Sequence, residues 1–411
     1  MRTRWIRMAR AFSFFVMCCT AAVTVSGPAF AAQFDKVKLE LLRPKLQEFV
    51  EKNVVAGAVA AVGTHTGLVG IATVGHQNRE QNLPMLPNAT FRIASMTKPI
   101  TALAIMILVD EGKVSVEDPV EKYLPEFKGQ LLVSSRDKDT LTLKRPSRPI
   151  TVRDLLTHTS GLPGGFPAGI GDLYFRRQLT LGEAVAVSSQ RPLEFEPGTK
   201  WAYCNAGIDT LGRIVEVVAQ DSFEAFLQKR VFGPLGMRDT TFYPNDEQLA
   251  RLAGLYDLNE GQLRPVGFQL LGPTKTARHP IPAGGLYSTA EDLARLYQVM
   301  LLKGAIGELR IVSEKSVTEM TRNHTGELPA GFTPNVGMGF GWQVTRQPEG
   351  AHAMLSSGSY GHGGAFGTQG WIDPSQDLFI VLLIQRVGLA NGDASEIRRD
   401  IQQLVVDAIK K

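Results

Sequence analysis

Cysteine is almost missing: the 411 residues hold three, and two of them, Cys18 and Cys19, fall in an apolar N-terminal stretch. If that stretch is removed only Cys204 remains, which excludes an intrachain disulfide and leaves the packed core as the source of stability. Charge of one sign is missing too. The 44 Lys and Arg are interspersed with 40 Asp and Glu, for a net charge of +4, so nucleic acid is not expected as a partner. Beyond the N-terminus no apolar run is long enough to span a bilayer, and the chain without that segment is expected to be soluble. The sequence has neither Gly-x-Ser-x-Gly, the strand-to-helix turn that exposes a nucleophilic serine in many hydrolases, nor His-Glu-x-x-His. Its seven histidines are scattered, so a zinc hydrolase is not expected, and no cofactor is implied.

What remains is an ordinary globular composition, 44% apolar and 20% charged with 41 Gly and 23 Pro, enough chain for two lobes. Met1 to Arg10 is cationic, Ala11 to Val25 is apolar, and Ala29-Phe30-Ala31 has the small-residue pattern of a signal-peptidase site. This tripartite order predicts an export signal over 1–31, cleaved after Ala31, and a periplasmic or secreted product. A retained anchor is the alternative, disfavoured by the short apolar run. Lipidation at Cys18 or Cys19 is the lesser reading, because Met17 stands where a lipobox ending at Cys18 wants a small residue.

Leu42, Leu46, Phe49 and Val50 recur at helical spacing, and Ala56–Gly63 and Leu68–Val74 read as a hairpin around Thr64-His65-Thr66-Gly67. A helix is expected to open at Ser95, with Leu103, Ile105, Met106, Leu108 and Val109 as its apolar body and Gly112 as its stop. Strands are expected at 339–345, 367–372 and 378–385, then a closing helix from Ala394. The pattern predicts an α/β fold in which an antiparallel sheet is flanked by helices, built from 32–115 and 281–411, with an inserted, mostly helical lobe over 116–280.

Ser95-Met96-Thr97-Lys98 opens that apolar helix. Residues three apart share a helical face, so the Lys98 amine can reach the Ser95 hydroxyl, and the backbone N–H groups of a helix start favour negative charge there. The alternative is a simple N-cap with an exposed lysine. Ser135-Arg136-Asp137-Lys138 repeats the spacing in a charged stretch with no apolar helix after it, and reads as solvated surface. A distant proton-transfer group is expected from Tyr203-Cys204-Asn205 or Tyr243-Pro244-Asn245. The first precedes an apolar helical segment, whereas the second reads as a turn with a packed tyrosine. The third component, Gly361-His362-Gly363-Gly364-Ala365, lies just ahead of a strand. Such glycine density lets backbone approach a ligand closely, although a flexible hairpin also explains it.

Taken in this order, with Leu155 to Pro163, Gly233 to Met237 and Ala283 to Thr289, the three components resemble the serine β-lactamase and penicillin-recognising superfamily. The likeness is strongest to its class C β-lactamase-like members and family VIII carboxylesterases. The resemblance implies Ser95 as nucleophile, Lys98 as its partner, Tyr203 as general base and Asn205 as a contact for the substrate acyl group. It implies His362, Gly363 and Gly364 as the counterpart of a Lys-Thr-Gly substrate-binding strand, and the N–H groups of Ser95 and Ala365 as the oxyanion hole. His362 for lysine and Gly363 for threonine are departures: a histidine is mostly neutral near pH 7, and glycine has no hydroxyl. The expected activity is therefore hydrolysis of short-chain carboxylic esters. β-Lactam hydrolysis, D-Ala carboxypeptidase or D-aminopeptidase activity, acyl transfer to another alcohol, and an inactive envelope binding protein are the alternatives.

Overall fold

The computed structural model describes residues 31–167, 169–267, 276–389 and 392–410, so the signal-like segment before Ala31 lies outside the described residues. An eight-stranded antiparallel sheet organises the chain. Its strands are β1 (Gly57–Thr64), β2 (Gly67–Asn78), β3 (Leu83–Pro84), β4 (Val336–Met338), β5 (Gln343–Thr345), β6 (Tyr360–Gly363), β7 (Gln369–Asp373) and β8 (Leu378–Leu383), in spatial order β4-β5-β6-β7-β8-β1-β2-β3. The first and last parts of the chain thus meet at the centre, where Val59 stands opposite Leu383 and Ala61 opposite Val381.

Every residue of β1 is buried because both sheet faces are covered. Ala58, Ala60 and Val62 pack with Leu42, Leu46 and Phe49 of α1 (Leu42–Glu51) and with Ile397, Ile401 and Val405 of the C-terminal helix Glu396–Asp407. Val59 and Ala61, pointing the other way, join a larger core that includes Ile100, Leu103 and Ile107 of α2 (Thr97–Asp110). The helix α2 is buried on nearly all sides, which explains why its sequence is apolar throughout and not striped.

Between the sheet-forming segments lie α3 (Leu181–Ser189) and α4 (Asn205–Ala219), then α5 (Ala290–Leu301) against the sheet. This region carries two hairpins as well, Leu132–Arg136 with Leu141–Lys144 and Tyr256–Asn259 with Gln262–Pro265. The first lies where a mostly helical lobe was expected and carries the Ser135 to Lys138 motif read as solvated surface; its side chains are mostly exposed. Of the strand expected over 339–345 only Gln343–Thr345 is strand; residues 339–342 form the reversal that joins it to Val336–Met338. Gly341, at φ +74°, makes the reversal, and a Cβ there would lie 2.7 Å from Cβ of Ala102 on α2, so the turn exists because helix and strand ends press together.

Candidate active site

Ser95 lies in a single 3₁₀ turn, Ala94–Met96, that runs into α2. Ala94 before it is held in the left-handed region at φ +46°, a conformation that costs a non-glycine residue about 1 kcal/mol or more and persists where surroundings enforce it. They do so here through side chains. Thr97 Oγ1 donates to Ala94 O at 2.7 Å, Thr368 Oγ1 donates to Ile93 O at 3.2 Å, and Gln385 Nε2 donates to Arg92 O at 3.0 Å. The ends of β7 and β8 thereby fix the backbone that presents Ser95.

Lys98, one helical turn on, is fully buried, with Nζ 3.1 Å from Ser95 Oγ and 2.6 Å from Ala283 O. Burial lowers its pKa to about 7, against a smaller opposing pull from Asp209, so much of it is unprotonated at neutral pH. Tyr203 OH donates to Ser95 Oγ at 2.7 Å, and its ring lies 4.5 Å from Lys98 Nζ. Burial raises the phenol well above its ordinary value of 10.0. The free tyrosine is therefore a neutral donor, which runs against the resting general base that the resemblance implies; the amine is the group with an available lone pair.

At the end of β6, His362 Nδ1 lies 2.6 Å from Gly363 O. A carbonyl only accepts, so Nδ1 carries the proton and Nε2, buried without a partner, presents its lone pair. Burial first, then the charge of Lys98, lower His362 to about 4, so the imidazole is neutral at pH 7. Gly363 is buried, Gly364 partly exposed and Ala365 exposed, at the tip of a turn closed by Gly364 N–H to Thr368 O and Gly367 N–H to Gly364 O. A Cβ on Gly364 would lie 2.2 Å from Thr368 Oγ1, 2.5 Å from Ile93 O and 3.4 Å from Ala94 Cβ, so this turn abuts the residue that precedes Ser95. Gly364→Ala is expected to displace it. Overpacking costs about 1–3 kcal/mol and a misplaced oxyanion donor about 10²-fold in kcat, to be read by thermal unfolding and by ester kinetics. Unchanged kcat would separate this turn from the reaction.

Asn205 begins α4 two residues beyond Tyr203, and its Oδ1 is buried with no hydrogen-bond partner. Ser135 and Lys138 are exposed on the hairpin. Tyr243 is half-exposed with Arg177 4.8 Å from its ring, and Asn245 caps a short helix, Asp246–Ala250.

Sequence reasoning missed several neighbours. His158, at φ +60°, packs 4.8 Å from the Tyr203 ring and accepts from Cys204 N–H through Nδ1 at 3.2 Å. It lies within the Leu155 to Pro163 segment, which signalled resemblance but no particular role. Trp201 and Phe332 flank the Tyr203 ring, Phe332 at 4.9 Å; the sequence suggests that the loop Thr325 to Val336 shapes the pocket but marks no residue within it. No cluster of His, Cys, Asp or Glu that could hold a metal occurs among the described residues, and none of their helices is long and apolar enough to cross a membrane.

Acyl transfer through a serine ester requires a hydroxyl, a group to take its proton, and N–H donors for the oxyanion. Fold and constellation together define a serine hydrolase. The beta-lactamase family model matches residues 42–404, and the chain belongs to that family. It is 34% identical over 373 residues to protein Rv1367c of Mycobacterium tuberculosis (strain ATCC 25618 / H37Rv), covering 85% of this chain and 90% of that one. Esterase EstB of Burkholderia gladioli is 29% identical over 389 residues, 88% of this chain and 92% of EstB. Among solved structures, EstCE1, described as a hydrolase with promiscuous acyltransferase activity, superimposes with a TM-score of 0.75 at 26% identity, covering 90% of this chain and 98% of that one.

Proposed function

We propose that this serine hydrolase is a carboxylesterase that cleaves short, uncharged esters through an acyl-enzyme on Ser95. The carrying observation is the neutral, buried His362 beside Gly363, where a lysine and a threonine would favour an anionic substrate. The aromatic wall of Trp201, Tyr203 and Phe332 suits an apolar ester group, and the names of EstB and EstCE1 are in keeping with the reading. Ser95 Oγ attacks the ester carbonyl while the unprotonated Lys98 amine takes its proton. The N–H groups of Ser95 and Ala365 meet the oxyanion. Tyr203 hands a proton to the departing alkoxide and is reprotonated from Lys98. Water then attacks the acyl-enzyme by the same route in reverse and releases the acid.

The test is kcat/KM for a nitrophenyl butyrate, a chromogenic cephalosporin and a D-Ala dipeptide side by side. A charge-assisted hydrogen bond is worth about 1.5–3 kcal/mol, or roughly 10- to 150-fold, so the neutral ester is expected to lead by about that margin or more. His362→Lys is expected to narrow the gap, less so at high salt. Wild-type preference for the cephalosporin or the dipeptide would replace the esterase reading with lactamase or peptidase activity.

Export is part of the same proposal. Cleavage after Ala31 would leave the Ala32 amino group as the new terminus, and Ala32 N already lies 3.0 Å from Asp377 Oδ2, so the ammonium gains a carboxylate partner. The intact mass of protein recovered from a periplasmic fraction is expected to correspond to a start at Ala32; a full-length mass refutes the cleavage.

A further inference from the structure

Asp209 is a buried carboxylate on α4 that the reaction as described does not use. It forms no ion pair with any described residue, an arrangement that is costly unless the oxygens are well satisfied. Two donors satisfy them: Tyr174 OH, from the helix Ile170–Phe175, bonds Oδ2, and Ala283 N–H bonds Oδ1 at 2.9 Å. The other side of the Ala283 residue faces Lys98, whose Nζ lies 2.6 Å from its carbonyl oxygen. One turn further along α4, Gly212 makes room for the same segment, since a Cβ there would lie 2.3 Å from Pro282 Cγ. Asp209 and Gly212, three apart on one helical face, thus dock the Pro282–Ala283 turn against α4, and Thr101 Oγ1 holds it from α2 by donating to Pro282 O at 2.7 Å.

We infer that Asp209 is the positioning residue for Lys98: it clamps the Ala283 segment whose carbonyl holds the amine beside Ser95, and it supplies the amine's negative countercharge. The inference rests on Lys98 being the base of the proposed esterase. Charge supports the geometry. Burial raises Asp209 to about 6, while Tyr174, Ala283 and Lys98 pull the other way, so the group is mostly ionised at pH 7. Its charge in turn supports the protonated form of Lys98 against burial. The titratable groups around the pair are few. Tyr174 and Cys204 face Asp209, and both are raised by burial. Tyr203, His158 and His362 face Lys98, and both histidines are held neutral.

The sign follows. Removing the Asp209 charge lowers the Lys98 pKa, so the acid limb of kcat/KM moves to lower pH. Asp209→Asn keeps the acceptor for Ala283 N–H, removes the charge and reverses the bond with Tyr174, whose hydroxyl then accepts from the amide. It is expected to shift the limb down by about one unit, with a loss of about 10-fold on the plateau. Tyr174→Phe, which leaves the carboxylate but makes it easier to protonate, is expected to shift the limb the same way by less, and serves if Asp209→Asn does not fold. Asp209→Ala orphans the Ala283 N–H as well and is expected to lose about 10²-fold or more. An acid limb that stays at the wild-type pH in a folded Asp209→Asn or Tyr174→Phe enzyme overturns the inference, whatever happens to the rate, because a purely structural role lowers activity and stability without moving the limb. Lys98→Ala is run alongside: if it retains wild-type turnover, the reading of Lys98 as base fails first, and that failure is visible independently of Asp209.

Discussion

Ser95→Ala is expected to abolish ester turnover and covalent labelling by an active-site phosphonate, while Ser135→Ala leaves both almost unchanged. The loss is expected to be about 10⁴-fold or more in kcat, or about 5.5 kcal/mol at 1.36 kcal/mol per tenfold, because without the hydroxyl there is no acyl-enzyme to form. The variant should fold normally. Among the described residues Ser95 Oγ is bonded by Lys98 and Tyr203 alone, and its backbone is fixed by Thr97, Thr368 and Gln385 instead. Intact-mass measurement after phosphonate treatment checks this directly: an adduct on the Ser95→Ala protein, or normal turnover by it, would end the assignment of the nucleophile. Ser135 is the matched control because it has the same three-residue spacing to a lysine but is exposed on a hairpin.

The second large effect concerns the pair that surrounds that hydroxyl. Lys98→Ala and Tyr203→Phe are each expected to lower kcat by about 10³-fold, and the double variant to be little worse than either, because groups that act as one unit give strongly non-additive losses. The wild-type pH profile follows from the two environments. Activity needs the Lys98 amine unprotonated, so kcat/KM is expected to rise with pH through about 7 and then level. Tyr203 is needed as a neutral phenol and is raised above 10.0, so no fall is expected until the strongly alkaline range. A profile that rises only near the ordinary lysine value would mean that burial does not set the base. If Tyr243→Phe proved crippling and Tyr203→Phe harmless, the wrong tyrosine would be in the mechanism.

The central strands of the sheet were legible in sequence because they are buried on both faces and so read as short apolar runs, as Ala58 to Val62 and Leu378 to Leu383 do. That Ser95 and Lys98 meet was legible from their spacing at a helix start, and that Tyr203 and His362 join them was legible only through the order of motifs and the resemblance it carries. The turn at Gly341 was not, since it depends on how closely Ala102 approaches from a helix distant in sequence. The link from Asp209 through Ala283 to Lys98 was invisible for a related reason. It is a chain of contacts across three segments, and an aspartate inside an amphipathic helix reads as a solvated face until the fold shows it buried. Which proton carrier is unprotonated could not be read either, since that depends on desolvation.

The pairing of β1 with β8 also bears on how the molecule comes into being. Val59 cannot find Leu383 until the chain through Leu383 has been made, so the hairpin of β1 and β2 must wait with one edge unpaired while the intervening helices are made. Long-range pairing of this kind slows folding, because the loop-closure cost falls due before the contacts that reward it. A nascent chain cut anywhere before Leu378 would lack the strand that joins the two halves of the sheet, leaving the apolar edge of β1 open to aggregation.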